Sequence, residues 1–93
     1  MYIKLFFIFL IPLLFSCSNT AIENFEDLKK IEIGMSLETA KSKMRHQPEK
    51  VETAVWDSTK YVYYYKSPAF AADYYKIIVS KKDSLVSGID YGE

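Results

Sequence analysis

The chain has 93 residues, 12 basic and 12 acidic side chains and one histidine, so its formal net charge at neutral pH is zero. That balance argues against the basic face or stripe by which an electrostatic nucleic-acid binder, or a polybasic membrane-surface device, holds its target. The length suits one small domain, near the lower limit of what folds without staples, and a single cysteine leaves no internal disulfide to form.

The N-terminus reads Lys4, then an apolar run from Leu5 to Phe15 with Pro12 inside it, ending in Leu14-Phe15-Ser16-Cys17. A spanning helix needs about 20 residues, so this run is too short to be one. It suits the core of a secretory signal peptide behind a short basic start. The last four residues resemble a bacterial lipobox, with an aliphatic residue three before the cysteine and a small residue just before it. The resemblance implies that the Cys17 thiol receives a diacylglycerol group. A peptidase then cuts between Ser16 and Cys17, and the new amino terminus can be acylated in turn. Residues 1–16 are therefore expected to be a lipoprotein signal peptide, and the mature chain to sit in the bacterial cell envelope, at the outer membrane, by its lipid. A buried free thiol is the plainer alternative for Cys17, but the change to polar Ser18-Asn19-Thr20 just after it suits the signal better. One acyl chain gives only marginal binding, at about 0.8 kcal/mol per buried methylene, whereas two or three on one cysteine hold stably.

Residues 17–24 read as the lipidated cysteine and a mobile polar tether, and residues 25–93 as the folded domain. Ile22, Phe25, Leu28 and Ile31 recur at helical spacing, predicting a short amphipathic helix from about Glu23 to Lys30 with Glu26 and Asp27 on its solvent face. Gly34 breaks the pattern. Ser36 suits the N-cap of a second helix, with Glu38 in its first turn where a negative charge favours the helix dipole. Met35 and Ala40 form a weak hydrophobic staple. Leu37, Ala40 and Met44 share one face. Pro48 restricts Gln47, so this helix is expected to stop at Arg45 or His46.

After Pro48 the period changes. Residues Val51–Trp56 and Lys60–Lys66 are rich in β-branched and aromatic side chains, and Asp57-Ser58-Thr59 supplies turn chemistry between them. Residues 67–72 read as a loop, Tyr74–Ser80 as a strand, Lys81-Lys82-Asp83-Ser84 as a tight turn and Leu85–Tyr91 as the returning strand. Alternation in that last strand puts Leu85, Ser87, Ile89 and Tyr91 on one face and Val86, Gly88 and Asp90 on the other. The expected fold is α+β, with two short N-terminal helices packed on one face of an antiparallel three- to four-stranded meander.

Ile33-Gly34-Met35-Ser36, a short helix, Pro48, Trp56 and then tyrosine-rich strands together resemble the BamE/SmpA/OmlA family of small bacterial outer-membrane lipoproteins. Their ααβββ arrangement also occurs in β-lactamase-inhibitor-like domains. The resemblance covers about residues 25–91 and is most specific at Ile33–Ser36, where the family carries a Gly-Met-Thr/Ser turn into its second helix. It implies that Gly34 permits a tight approach between helices, that Met35 plugs the core, that Ser36 caps, and that Pro48 and Trp56 hold structural positions. Two departures are visible. The family's Leu-Gly-x-Pro helix ending is Arg45-His46-Gln47-Pro48 here, and a glycine frequent in its terminal turn is replaced by Asp83-Ser84. Family function implies an accessory protein that binds and steadies envelope machinery such as the barrel-assembly complex. No partner-contact residue carries over.

His46 is the only histidine, and Glu49 and Glu52 are the nearest carboxylates. No His-x-x-x-His pair, cysteine cluster or calcium-type loop accompanies it, so a surface residue ending a helix is the simpler assignment. Ser58, His46 and Asp57 compose a triad on paper only, without a nucleophile elbow and in a domain too small for much of a cleft. The expectation is therefore no enzyme, no metal, no small-molecule substrate, no nucleic acid, and no cofactor beyond the acyl groups on Cys17.

Tyrosines are the feature with interaction value. Alternation sends Tyr61, Tyr63 and Tyr65 to one face and Val62 and Tyr64 to the other. Tyrosine is favoured at interfaces, yet such rings also pack across strands on a half-wet sheet, at roughly 0.2–1 kcal/mol per pair. Trp56 is expected in the core, and Lys81-Lys82 in a solvated turn that discourages edge pairing. The expected function is a scaffold or assembly accessory that binds an envelope protein. An inhibitor or immunity lipoprotein that blocks a toxin or hydrolase is the alternative.

Overall fold

Between Thr20 and Asp90 the chain forms two helices and then four strands: α1 (Thr20–Leu28), α2 (Leu37–Lys43), β1 (Lys50–Thr53), β2 (Lys60–Tyr65), β3 (Tyr75–Ser80) and β4 (Val86–Asp90). The structure, a computed structural model, describes residues 20–69 and 71–92. The signal-peptide assignment, Ser16 and Cys17 lie outside them.

Helix α1 starts earlier than its apolar period suggests, and Thr20–Asn24, read above as tether, form its first turns. Its buried side also differs. Ile22 and Phe25 are exposed, whereas Asn24, Asp27 and Leu28 are buried. Buried polar groups are tolerated when hydrogen-bonded, and here partners come from distant segments. Asn24 Nδ2 donates to the Lys66 carbonyl at 3.0 Å, and Asp27 receives Arg45.

The turn between the helices follows the expected chemistry at Ser36. Its extended backbone and its Oγ, which accepts from the Thr39 N–H at 3.2 Å, make it the N-cap of α2. Gly34 has φ +93°, the left-handed region that disfavours a Cβ. A Cβ there would meet nothing within 4 Å, so backbone conformation, not close helix approach, is what calls for glycine. The same turn runs beside β4. Gly34 N–H donates to the Val86 carbonyl (2.8 Å), Val86 N–H to the Met35 carbonyl (2.7 Å) and Leu37 N–H to the Ser84 carbonyl (2.8 Å). Helix α2 ends at Lys43, two residues short of Arg45, because Met44 turns extended and Arg45 gives its N–H to Asp27.

The four strands form one antiparallel sheet in the order β1-β2-β3-β4, so the fold is α+β with a four-stranded meander. Asp57 Oδ1 accepts from the Thr59 N–H (2.9 Å) and hydroxyl (2.6 Å), closing the first hairpin. Strand pairing stops at Thr53, before Val55 and Trp56. Trp56 consequently sits in the turn, 61% exposed, and is not a core residue.

Strands β3 and β4 pair with a bulge: Ile78 lies opposite Gly88 and Val79 opposite Val86, leaving Ser87 as the extra residue. An extra residue reverses the alternation on one side of it. Val86 therefore joins Ile77, Val79 and Ile89 in or against the core, against the simple alternation that separated Val86 from Ile89. The core gathers Leu28, Ile31, Ala40 and Met44 with Tyr65, Tyr75, Ile77, Val79 and Val86, and Met35, Leu37, Tyr63 and Ile89 pack against it.

Candidate interaction surface

Strand β2 divides its tyrosines as the alternation requires. Tyr61, Tyr63 and Tyr65 lie opposite Val79, Ile77 and Tyr75 of β3, a row that supplies core residues. Burial grades along them: Tyr61 is exposed, Tyr63 half-buried, and Tyr65 only 1% exposed. Burial pushes the Tyr65 phenol up to about 12, with the Tyr63 phenol adding a smaller push. Burial also raises Tyr63 and Tyr75. Tyr63, Tyr65 and Tyr75 thus belong to packing, whereas Tyr61 is exposed, with Lys81 Nζ 4.8 Å from its ring centroid.

Tyr64 stands on the other side, and the sheet brings it partners that no local pattern names. Its ring meets Tyr74 edge-on at 5.6 Å between centroids. Lys50, opposite Tyr64 in the β1–β2 register, holds its Nζ 4.7 Å from the Tyr64 centroid and 5.4 Å from that of Tyr74. Lys76, beside Tyr64 on β3, donates to Asp73 Oδ2 at 2.6 Å and lies 3.9 Å from Asp90 Oδ2. The Asp73 hydrogen bond holds the Lys76 ammonium above its ordinary range, against the opposing push of burial. Together these side chains make a half-exposed aromatic pair roofed by a cation and flanked by a second ion pair. A three-residue loop at Asp57–Thr59 would have set Lys50 against Lys66; the observed register is centred on Asp57 and brings Lys50 opposite Tyr64 instead, so local turn chemistry did not name this pair.

A charged cluster occupies another region. Arg45 reaches Asp27, Glu23 Oε2 (3.3 Å) and Glu26 Oε1 (2.9 Å), and His46 Nε2 lies 2.6 Å from Glu23 Oε1. Glu26 is on the solvent face, as the helical period suggested, but Asp27 is buried. Burial pushes the Asp27 carboxyl up. The Arg45 hydrogen bonds and charge, with a weaker bond from Lys30, outweigh that and hold it below the usual carboxylate range. His46 pairs with Glu23, not with Glu49 or Glu52, and Asp57 is engaged by Thr59, so these two members of the paper triad have other partners. An open cleft of about 440 Å³ beside this cluster is lined in part by Lys41, Arg45, His46 and Tyr65. A smaller apolar groove of about 290 Å³ is lined by Ile22, Phe25, Pro68 and Tyr75.

Among the described residues no group of three or more His, Cys, Asp or Glu side chains is placed to hold a metal ion. None of the described helices is long and apolar enough to cross a membrane. No family model, curated protein or solved structure matches this chain.

Proposed function

We propose that this chain is a lipid-anchored protein of the bacterial envelope that acts by binding another envelope protein, as a scaffold or assembly accessory at the outer membrane. The observation that carries the binding half is the Tyr64–Tyr74 pair under Lys50, a large aromatic area with polar tips and a cation beside it. Such chemistry suits protein interfaces. In this reading the two helices cover the sheet face bearing Tyr65, Tyr75, Ile77 and Val79, and the partner takes the face bearing Tyr64. Two helices preceding an antiparallel meander support a BamE/SmpA-like reading, while the sheet has four strands where that arrangement has three. The anchor half rests on the lipobox-like Leu14-Phe15-Ser16-Cys17 behind its apolar run. A lipid anchor confines the protein to the membrane, so a weak contact gains from high local concentration.

In-cell crosslinking of the tagged full chain, followed by mass spectrometry of what co-purifies, tests the proposal. Recovery of an outer-membrane assembly component, lost with Tyr64→Ala, is the expected outcome. Recovery of a single secreted toxin or hydrolase would replace the accessory role with inhibition. Cys17→Ala should abolish both lipid labelling and cleavage at this site; a normally processed, anchored product would overturn the anchor assignment.

A further inference from the structure

Among the described residues, strand β1 is the open edge of the sheet. It stands at the end of the strand order, with all four of its residues exposed. The β4 edge, in contrast, is lined by the Gly34–Leu37 turn through backbone hydrogen bonds. Ala54 N–H donates to the Lys60 carbonyl across the hairpin. Alternation in an antiparallel pair then aims the backbone groups of Glu52 at β2 and those of Val51 and Thr53 outward. An outward row of this kind is a template for another strand.

We infer that β1 pairs with β1 of a second copy of this chain, antiparallel about a two-fold axis through Val51, joining two sheets edge to edge. The sequence Lys50-Val51-Glu52 is its own complement in that register. Val51, 45% exposed, meets Val51 of the second copy, and their outward backbone groups exchange hydrogen bonds. Lys50 lies opposite Glu52 of the second copy, and Glu52 opposite its Lys50. Both side chains sit on the same face of β1, shown by their 3.9 Å approach within one chain. Slipping the pair two residues in register sets either Lys50 against Lys50 or Glu52 against Glu52. Opposite charges across a strand pair stabilise and like charges destabilise, so the edge charges select one register. The interface is isologous and small, which makes the association weak and concentration-dependent. It needs no lipid anchor, but it shares Lys50 with the Tyr64 surface, whereas Glu52 has no contact with that aromatic pair and so reads the edge alone.

Sedimentation equilibrium of the detergent-solubilised full chain tests this, using Lys50→Glu and Glu52→Lys. Each variant alone puts like charges together at both positions and should weaken self-association by about tenfold. An equimolar mixture of the two variants restores base against acid at both positions. The mixture, and the double variant Lys50→Glu/Glu52→Lys by itself, should return to within about threefold of the original affinity. Recovery in the mixture also shows that both variants are folded. A wild-type chain that stays monomeric up to about 1 mM, a weak limit in binding terms, overturns the proposal and leaves the edge to a foreign strand. So does a dimer indifferent to both substitutions, or a loss that neither mixture nor double variant restores.

Discussion

Arg45 closes on Asp27 with its backbone as well as its side chain. Its N–H lies 2.9 Å from Oδ2, its Nε 3.2 and 3.1 Å from the two carboxylate oxygens, and its Nη2 3.1 Å from Oδ1. The Asp27 side chain is 1% exposed, so it has almost no water to fall back on. A buried carboxylate without such compensation is strongly unfavourable. The pair thereby ties the last turn of α1 to the chain just after α2 and ends the latter helix.

Asp27→Ala should lower the stability of the domain by about 2–3 kcal/mol, the range for losing charged hydrogen bonds at a buried site. Glu26→Ala removes an exposed ion pair to the same guanidinium and should cost less than about 1 kcal/mol. Urea denaturation of both variants checks the contrast; equal effects would mean that Asp27 is not the compensated buried group described.

The same carboxylate sets a pH dependence. Its folded-state pKa lies below the ordinary value, so its stabilising contribution is fully present above the unfolded pKa of about 3.9 and is lost as pH falls through the folded value. The difference in melting temperature between wild type and Asp27→Ala should be constant from neutral pH down to about 5 and shrink toward pH 2. A difference that grows on acidification would contradict the assignment.

Neighbouring tyrosines should behave differently. Tyr65→Ala empties a fully buried core site and should cost about 3–5 kcal/mol, as large aromatic truncations do. Tyr64→Ala removes a half-exposed ring packed on Tyr74 and Lys50 and should cost about 1 kcal/mol, with its main effect on partner capture. Thermal melts with the crosslinking assay separate the two; equal destabilisation and unchanged capture would remove Tyr64 from the proposed surface.

Ser84 is a non-glycine residue at φ 59°, a conformation that costs an L-residue roughly 1 kcal/mol. Ser84→Gly should therefore stabilise by up to about 1 kcal/mol. Gly34→Ala should destabilise by about 1 kcal/mol for the mirror-image reason, since no neighbouring atom obstructs the added methyl. Melting temperatures shifting in opposite directions are the expected result.

Much of the local structure was legible in advance. Ser36 caps α2, Asp57–Thr59 turns the first hairpin, and β2 alternates, because caps, turns and strand period depend on groups a few residues apart. The candidate surface was legible only at Tyr64. Tyr74 and Lys76 reach it from β3 and its approach, Lys50 from β1, and which strands lie side by side is a property of the assembled sheet. Trp56 looked like core by residue type, but the strand ends before it.

The sequence alone determined that the chain from about Glu23 to Tyr91 holds two short helical segments and a run of strands joined by specific turns. It did not determine which side of α1 is buried. The period of Ile22, Phe25, Leu28 and Ile31 names one side; the structure buries Leu28 and Ile31 as expected but exposes Ile22 and Phe25 and buries Asn24 and Asp27. Burial of a carboxylate depends on whether a distant residue supplies its donors, and here that residue is Arg45, 18 positions along the chain. The bulge opposite Ile78 and Val79 is decided the same way, since it exists only between two strands already paired. Periodicity records what each segment prefers by itself. Only the packed chain sets the compensation that lets a segment depart from it.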